Sequence, residues 1–408
     1  MKGFTSTILH SDLRRPIEHG SLHKPVHTSV AFGYDNAREI AEVFQGKRKG
    51  YSYARQINPT VAALEEKITL MEAGLATACF ATGMAAIAAV MFALLRQGDH
   101  LVSSRFLFGN TNSLFNTLTN MGIEVSFVDA TDADEVAAAI RPETRMVFVE
   151  TIANPCTQVS DLEGIGRLCE ERGLLYVVDN TMTSPWLFRP VTVGAGLVIN
   201  SLTKFIAGHG DVLGGAVTET GRFDWSRYPN IYDVYKKGEP SGWGLLQIKK
   251  KGLRDTGGTL SAMAAHQIAI GAETLALRLD RSSSNAQTLA AFFAHHPAIE
   301  RVFYPGLPVH PEHERARALF RSFGSLMSIE LKEGIDCFEV LDALRLPIVS
   351  SNLGDNRTLA IPVAQTIYFE MGPERRASMG ISDGMIRLSI GIEDIDDLLD
   401  DFRHGLPA

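Results

Sequence analysis

The feature of this 408-residue sequence that most constrains its fold is a regular alternation of apolar and amphipathic segments. Seven short, mostly apolar runs are candidate strands, at residues 76–81, 100–103, 124–128, 146–150, 174–179, 196–201 and 211–218. Segments with helical periodicity, such as 85–96, 114–121 and 162–172, lie between them. Several of the runs are apolar at consecutive positions, as expected of strands that are buried on both faces. The alternation therefore predicts an α/β fold in which a mostly parallel sheet lies between layers of helices.

The two ends of the chain differ in character from this central alternation. Residues 1–58 are polar, rich in His, Pro, Gly and Tyr, and have little helical periodicity, which predicts an extended arm. After about residue 250, a long helical region at 261–293 precedes two strand-like segments and an acidic helix at 394–402. We therefore predict three parts: an N-terminal arm at 1–58, a large domain at 59–250 and a smaller α+β domain at 251–408.

Composition argues against several classes of protein. The net charge of −8 gives no basic surface for nucleic acid or an anionic membrane. No apolar run is long enough to cross a bilayer, and the N-terminus lacks the apolar core of a secretory signal, so we expect a cytoplasmic protein. The four cysteines form no CxxC pair and have no zinc-ligand spacing, so we expect them to be buried and expect no metal site.

Residues that could carry chemistry follow three of the predicted strands, where the ligands of open α/β sheets collect. Thr82-Gly83-Met84 follows the first run and opens a helix, whose free N–H groups could bind a phosphate, although glycine is common at such turns. Asp179 ends an apolar run, where a carboxylate is costly unless it is paired. It could pair with a protonated pyridine nitrogen or cap a helix, and this residue alone does not separate the two roles.

Lys204 follows the next run, in the sequence Ser201-Leu202-Thr203-Lys204. The hydroxyls of Ser201 and Thr203 could bind a phosphate while a desolvated lysine amine forms an imine; a lone lysine is otherwise usually an exposed side chain. An anion site, a carboxylate and an amine at three strand ends are together the parts of a site for pyridoxal 5'-phosphate (PLP). A dinucleotide-binding protein fits less well, because no GxGxxG motif follows the first run.

Motifs from about residue 25 to the C-terminal helix resemble those of the Cys/Met-metabolism family of PLP-dependent enzymes. They are Tyr53-Ala54-Arg55, Asn58-Pro59-Thr60, Thr82-Gly83-Met84-Ala85-Ala86-Ile87, Asp179-Asn180-Thr181, Ser201-Leu202-Thr203-Lys204 and Ile386-Arg387-Leu388-Ser389-Ile390-Gly391. The resemblance implies a fold-type I, aminotransferase-like subunit, with a seven-stranded sheet in a PLP-binding large domain, a smaller C-terminal domain and an N-terminal arm. It also implies a homotetramer made of two active dimers.

The resemblance implies a role for each matching residue. Lys204 would form the Schiff base with PLP, and Asp179 would pair with the pyridinium nitrogen. Asn154 would lie near the ring oxygen of the cofactor, and Arg387 would bind the α-carboxylate of an amino-acid substrate, a task that suits a planar guanidinium. The phosphate would be held by Ser201, Thr203, Gly83, Met84 and, reaching across from the neighbouring subunit, Tyr53 and Arg55.

Three positions depart from the pattern of most members of this family. Phe108 stands where the lyases and cystathionine γ-synthase have a tyrosine that stacks on the PLP ring and transfers protons; phenylalanine keeps the stacking face and lacks the hydroxyl. The O-succinylhomoserine sulfhydrylases resemble this chain in having a similar Phe-Gly. Asn352-Leu353-Gly354-Asp355, whose backbone would face the substrate carboxylate, likewise resembles the sulfhydrylases' version of that segment. Segment 361–367 lacks the serine and histidine of the usual family sequence, which leaves the substrate open.

We therefore predict a PLP enzyme that acts at Cγ of a homoserine-derived amino acid, with Lys204 as general base. The first expectation is γ-replacement, as in O-acetyl- or O-succinylhomoserine sulfhydrylase or cystathionine γ-synthase. The alternatives are γ-elimination from methionine, cystathionine or another γ-substituted amino acid such as canavanine, and, from a different class, a non-catalytic binding protein. The fold alone cannot separate them.

Overall fold

A computed structural model describes residues 2–407, and these form two β-sheets of unequal size. The strands of the larger sheet are β1 (Ala76–Phe80), β2 (His100–Ser104), β3 (Glu124–Val128), β4 (Thr144–Glu150), β5 (Leu175–Asp179), β6 (Leu197–Asn200) and β7 (Gly215–Glu219). Those of the smaller sheet are β8 (Ile299–Phe303), β9 (Leu326–Leu331), β10 (Ile348–Val349), β11 (Leu359–Pro362) and β12 (Met385–Ser389). The strand orders are β1-β7-β6-β5-β4-β2-β3 and β10-β11-β12-β9-β8.

Helices cover both sheets. The α-helices of the described chain are α1 (Phe4–Leu9), α2 (Ala37–Phe44), α3 (Pro59–Glu72), α4 (Gly83–Leu94), α5 (Gly109–Thr119), α6 (Ala133–Ala139), α7 (Leu162–Arg172), α8 (Ser184–Leu187), α9 (Trp243–Gln247), α10 (Ala262–Glu273), α11 (Leu275–Phe293), α12 (His313–Leu319), α13 (Cys337–Ala343), α14 (Pro373–Ser378) and α15 (Ile395–Gly405). A π-helix spans Ile248–Arg254. Short 3₁₀ turns are found at Asp12–Arg14, Glu18–Gly20, Pro190–Val193, Trp225–Arg227, Asp233–Tyr235, Pro240–Gly242 and Phe369–Met371.

The larger sheet is the mostly parallel sheet that the sequence predicts. Its strand β7 is antiparallel to both of its neighbours, β1 and β6, whereas the pairings among β2 to β6 are all parallel. Successive residues of β5 pack alternately into two separate cores: Tyr176 and Val178 on one face, Leu175 and Val177 on the other. Burial on both faces explains why this strand is apolar at consecutive positions. The predicted α/β class and seven-stranded sheet are confirmed.

The N-terminal arm contains two helices that the sequence analysis did not predict, so the expectation of an extended arm was wrong for these segments. In α1, Ile8 is buried in the core beside α3, and the ring of Phe4 lies 5.1 Å from that of Trp186. In α2, which is capped by Asn36, no side chain is buried. Helices of six and eight residues are too short for periodicity to identify, and their stability comes from packing or capping rather than from local propensity.

The two sheets are joined by α11, whose residue Leu279 packs in a core of the larger sheet while Leu289 and Phe293 pack under the smaller one. The predicted domain boundary at residue 250 falls within the π-helix, and the division into domains stays a prediction. All four cysteines are buried and unpaired, as expected. Within residues 2–407, none of the helices combines the length and the apolar character that crossing a membrane requires.

Candidate active site

A cavity of about 1070 Å³ lies where the carboxyl ends of β4, β5 and β6 meet the smaller sheet. This is the edge at which ligands collect in open α/β sheets. The predicted site residues that line it are Gly83, Met84, Phe108, Asn154, Asp179, Ser201, Thr203, Lys204, Asn352 and Arg387. The two predicted residues that do not line it are Tyr53 and Arg55. The sequence reasoning thus selected residues from both sheets that the fold brings to one cavity.

The N-terminus of α4 forms a narrow cradle at one end of the cavity. Thr82 caps the helix, and its hydroxyl accepts the N–H of Ala85 at 3.0 Å, which leaves the N–H groups of Gly83 and Met84 without an intrahelical partner. A Cβ atom at Gly83 would lie only 2.8 Å from Cβ of Ser201. Glycine is therefore required for α4 to approach the end of β6 this closely. Unpaired backbone N–H groups at a helix N-terminus are suited to an anionic ligand group.

Asp179 ends β5 as a buried carboxylate that points into this cavity. Its Oδ1 accepts the N–H of Thr181 at 2.9 Å, and the hydroxyl of Thr181 in turn accepts the N–H of Ser201 at 2.8 Å. This chain of hydrogen bonds ties the end of β5 to the end of β6. Burial raises the pKa of Asp179 to about 6, so the carboxylate is ionised at neutral pH. An ionised, buried carboxylate is matched to a cationic ligand atom.

Glu150, which the sequence analysis did not select, is a second buried carboxyl group in the cavity. It ends β4 and is paired in register with Asp179 on the adjacent strand. Its Oε1 accepts the N–H of Phe108 at 2.8 Å. Burial, and secondly the charge of Asp179, raises the pKa of Glu150 well above its usual value. The reasoning that selected Asp179, a carboxylate ending an apolar run, applies equally to Glu150 and would have found it.

Lys204 follows β6 with its amine inside the cavity. Nζ donates a hydrogen bond to Oδ1 of Asn352 at 2.7 Å. Burial, and secondly the charge of Arg387, lowers the pKa of Lys204 to about 8. The turn that carries the lysine is fixed by the Thr203 hydroxyl, which accepts the N–H of Gly214 at 3.0 Å and contacts its carbonyl oxygen at 3.2 Å. A positioned amine with a lowered pKa has the properties of an imine-forming lysine or a general base.

Arg387 lies on β12 of the smaller sheet as a buried cation, 2% exposed. Its Nη2 donates to the backbone carbonyls of Ser351 and Asn352, both at 2.9 Å, and Nη1 lies 3.5 Å from Oδ1 of Asn154. Nε is buried and has no hydrogen-bond partner among the described residues. Burial lowers its pKa to about 10, and it remains charged at neutral pH. Arg387 lines the cavity as a buried guanidinium whose Nε is unpaired, and no carboxylate is bonded to it within residues 2–407. Such a group is suited to an anionic ligand group.

No tyrosine is among the described residues that line the cavity. Phe108, for which the sequence predicts a stacking face without a hydroxyl, directly precedes α5. Tyr368 is nearby, but its hydroxyl donates to the backbone oxygen of Asn154, and burial raises its pKa well above the usual value. The altered segment 361–367 runs along the cavity through Gln365, Thr366 and Ile367. The described cavity lining therefore contains the amine of Lys204 but no tyrosine hydroxyl.

Tyr53 and Arg55 lie on the surface of the single chain, away from the cavity. The guanidinium of Arg55 lies 5.5 Å from the centre of the Tyr53 ring and donates to the backbone oxygen of Arg254. Their predicted role in a neighbouring subunit stays a prediction.

Comparison with known proteins identifies relatives over nearly the whole chain. The family model described as "Cys/Met metabolism PLP-dependent enzyme" matches residues 5–407. An L-methionine gamma-lyase of Fusobacterium nucleatum subsp. polymorphum is 36% identical, covering 99% of this chain and 98% of that protein. A sulfhydrylase of Fusarium oxysporum f. sp. lycopersici is 34% identical, covering 99% and 97%.

Solved structures agree with this relationship. A Campylobacter jejuni subsp. jejuni protein described as an O-acetylhomoserine (thiol)-lyase, which contains a pyridoxyl-lysine monophosphate residue, superposes with a TM-score of 0.93 at 28% identity, covering 99% of each chain. A cystathionine gamma synthase from Xanthomonas oryzae pv. oryzae superposes with a TM-score of 0.88 at 32% identity, covering 99% of this chain and 97% of that one.

Proposed function

Because the chain belongs to the Cys/Met metabolism family of PLP-dependent enzymes, we propose that it replaces the γ-substituent of a homoserine-derived amino acid with a sulfur nucleophile. The observation that carries the proposal is the placement of Asn352 between two functional groups. Its side-chain oxygen accepts from Nζ of Lys204 and its backbone oxygen accepts from Nη2 of Arg387. An amino acid whose α-carboxylate is bound by Arg387 would therefore present its Cα–H bond near Lys204.

The residues at the cavity fit the cofactor of this family. The backbone N–H groups of Gly83 and Met84, in the cradle that a Cβ atom would fill, would hold the phosphate together with Ser201 and Thr203. Asp179 would pair with the pyridinium nitrogen, because it is buried and ionised at neutral pH. When bound, PLP supplies the electron sink that acidifies the bonds next to the substrate amine.

Four side chains would then control the reaction. Arg387 would fix the carboxylate and hence the orientation of the Cα–H bond. Lys204 would remove the proton from Cα. The cavity lining described for one chain offers no tyrosine hydroxyl, so the proton transfers at Cβ and at the leaving group would fall to Lys204 or to a tyrosine from elsewhere, such as Tyr53 of the neighbouring subunit. Phe108 would present an aromatic face to the cofactor ring, and Asn154 would lie beside the ring oxygen.

The charges in the cavity favour a neutral γ-substituent. Among the described residues that line it, Lys204 and Arg387 are the cations, and both already have a role in the proposal. The acidic residues Asp211 and Glu370 are exposed at its rim. A succinyl ester would bring a second carboxylate to a site whose described lining holds no further cation. We therefore propose an uncharged ester such as O-acetylhomoserine as the first substrate to test.

The second candidate function is γ-elimination, and it is favoured by the 36% identity with an L-methionine gamma-lyase over almost the full length of both chains. In that reaction no nucleophile replaces the leaving group, and the product is 2-oxobutanoate with ammonia. A non-catalytic binding protein is not supported, because the family and the relatives are enzymes.

The two candidates are separated by their products. The purified protein would be incubated with O-acetylhomoserine, O-succinylhomoserine or methionine, each with and without sulfide. We expect sulfide-dependent homocysteine from O-acetylhomoserine, and no product with the Lys204→Ala variant. Prompt 2-oxobutanoate from methionine, without sulfide-dependent homocysteine from either ester, would establish γ-elimination and overturn γ-replacement.

A further inference from the structure

We propose that Glu150 is a positioning residue that stays a neutral carboxylic acid. Its side chain would hold Phe108 in place, and of the two neighbouring carboxyl groups, Glu150 and Asp179, only Asp179 would carry the negative charge. Glu150 itself would not react with the substrate. The inference rests on the proposed roles of Phe108 and Asp179 towards PLP, and it assigns a function to a buried group that the proposed reaction does not use.

The geometry of the sheet places the two carboxyl groups side by side. Glu150 and Asp179 are the last residues of β4 and β5, and they are register partners in a parallel pairing. Adjacent strands are about 4.8 Å apart, and register partners project their side chains to the same face. Both residues are less than a tenth exposed, and neither forms an ion pair among the described side chains. Ionising both of two adjacent, buried carboxyl groups without a cation between them is costly, which favours a pair that retains one proton.

The surroundings decide which member of the pair holds that proton. The groups that face Glu150 are the N–H of Phe108, the carboxylate of Asp179 and the hydroxyl of Tyr368, whose pKa Glu150 helps to raise. The buried cation Arg387 lowers the pKa values of Tyr368 and Lys204 and is not among the groups that shift the pKa of Glu150. The N–H and the side chain of Thr181 both stabilise the charged form of Asp179, whereas Glu150 has only the N–H of Phe108, and burial raises the pKa of Glu150 well above its usual value. At neutral pH the proton is therefore on Glu150.

A neutral Glu150 serves the site in two ways. Its side-chain oxygen Oε1 accepts the N–H of Phe108 at 2.8 Å. This bond fixes the start of α5 and the aromatic face that Phe108 offers to the cavity. Because it carries no charge, it does not compete with Asp179 for a cationic ring nitrogen. Glutamine has the same shape, can accept the same N–H and is always neutral, so it reproduces both properties.

The test compares Glu150→Gln with Glu150→Ala in the full-length protein. We expect PLP to bind Glu150→Gln with an affinity within about twofold of wild type, and Glu150→Ala about tenfold more weakly, because alanine leaves the buried Phe108 N–H without its acceptor. In the cofactor-free protein at pH 7, the infrared spectrum should contain a carboxylic-acid C=O band that Glu150→Gln removes. The infrared measurement needs no substrate, so its result is independent of which reaction the enzyme catalyses.

Glu219 provides the matched control. It is also a buried glutamate, hydrogen-bonded to the indole N–H of Trp225, and burial raises its pKa to about 8. Because Glu219 does not line the cavity, Glu219→Gln should remove an infrared band of the same kind and leave PLP affinity unchanged. The proposal is overturned if Glu150→Gln removes no acid band, or if it weakens PLP binding as much as Glu150→Ala does.

Discussion

The lowered pKa of Lys204 comes first from the desolvation of its amine. Lys204 lies in the turn that follows the buried strand β6, and its hydrogen-bond partner, Asn352, is neutral. Among the described residues Lys204 forms no ion pair that would stabilise its charged form, and burial lowers its pKa to about 8. The folded protein therefore holds a charged amine at neutral pH at a cost in stability, and the same cost makes the neutral, nucleophilic form accessible.

This cost predicts a pH-dependent effect of Lys204→Met on the cofactor-free protein. The pKa of Lys204 is about 8 in the folded protein and 10.5 in the unfolded chain. The charged amine therefore lowers the free energy of unfolding by its full amount below pH 8, and this loss of stability disappears as the pH rises from 8 through 10.5. We expect the variant to be more stable than wild type at pH 7, by about 1–3 kcal/mol, and the difference to shrink by pH 9.5. Urea unfolding at the two pH values measures it. A difference that is the same at both values would contradict the assignment, and Lys236→Met, at an exposed ion pair, is the control.

For Arg387 we expect that even a lysine substitution lowers catalytic efficiency. Lysine in its place keeps the charge but cannot donate to the carbonyls of Ser351 and Asn352 while also binding a carboxylate with two parallel hydrogen bonds. We expect Arg387→Lys to lower kcat/KM by about 100-fold or more and to leave PLP affinity unchanged. Steady-state kinetics and a cofactor titration check this. Arg357→Lys, an exposed arginine paired with Asp355, should change neither quantity; an equal loss of PLP affinity in Arg387→Lys would mean that Arg387 serves the cofactor instead.

At the scale of the elements, burial on both faces made the central strands predictable. The predicted runs 146–150, 174–179 and 196–201 correspond to β4, β5 and β6 with bounds that differ by at most two residues. The site residues at the ends of these strands were predictable too, because parallel strands bring their carboxyl ends to one edge.

Other features could not be read from local patterns. The helices α1 and α2 are too short to show periodicity, and Ile8 is buried only through contacts made after the chain has folded. The bond from Lys204 to Asn352 joins residues 148 positions apart in the sequence, and Glu150 accepts a backbone N–H that no side-chain pattern could reveal. Tertiary contacts, rather than propensity, determine these parts of the site.

The approach of α4 to β6 predicts that Gly83 cannot be replaced. In Gly83→Ala the new Cβ would lie 2.8 Å from Cβ of Ser201, so the helix N-terminus must move away from the cradle. We expect PLP to bind about tenfold more weakly or worse. Gly109→Ala is the matched control: Gly109 is also the first residue of a helix and also lines the cavity, but an added Cβ meets its nearest atom, the Ile367 oxygen, at 3.8 Å. Cofactor titrations that gave both variants equal losses would contradict the steric argument.

At the scale of the whole molecule, the single chain leaves part of its arm without a packing partner. Phe44 of α2 is 69% exposed and Leu22 is 75% exposed, while Tyr53 and Arg55 face solvent rather than the cavity of their own chain. We propose that these residues are covered in a homotetramer of two active dimers, in which each arm reaches the cavity of its neighbour. Activity would then require at least the dimer.

Two inactive variants should restore activity when they are combined in one dimer. If Arg55 acts in the neighbouring cavity, a dimer of one Lys204→Ala chain and one Arg55→Ala chain contains one cavity with both residues intact and one with neither. Random mixing by co-expression makes half of the dimers mixed, so we expect about a quarter of wild-type activity, and about half in mixed dimers purified by two affinity tags. If Arg55 acts within its own chain, each cavity of the mixed dimer lacks one residue and no activity returns.

Mixing Lys204→Ala with Asp179→Ala is the control, because those two residues lie in the same cavity and cannot complement each other.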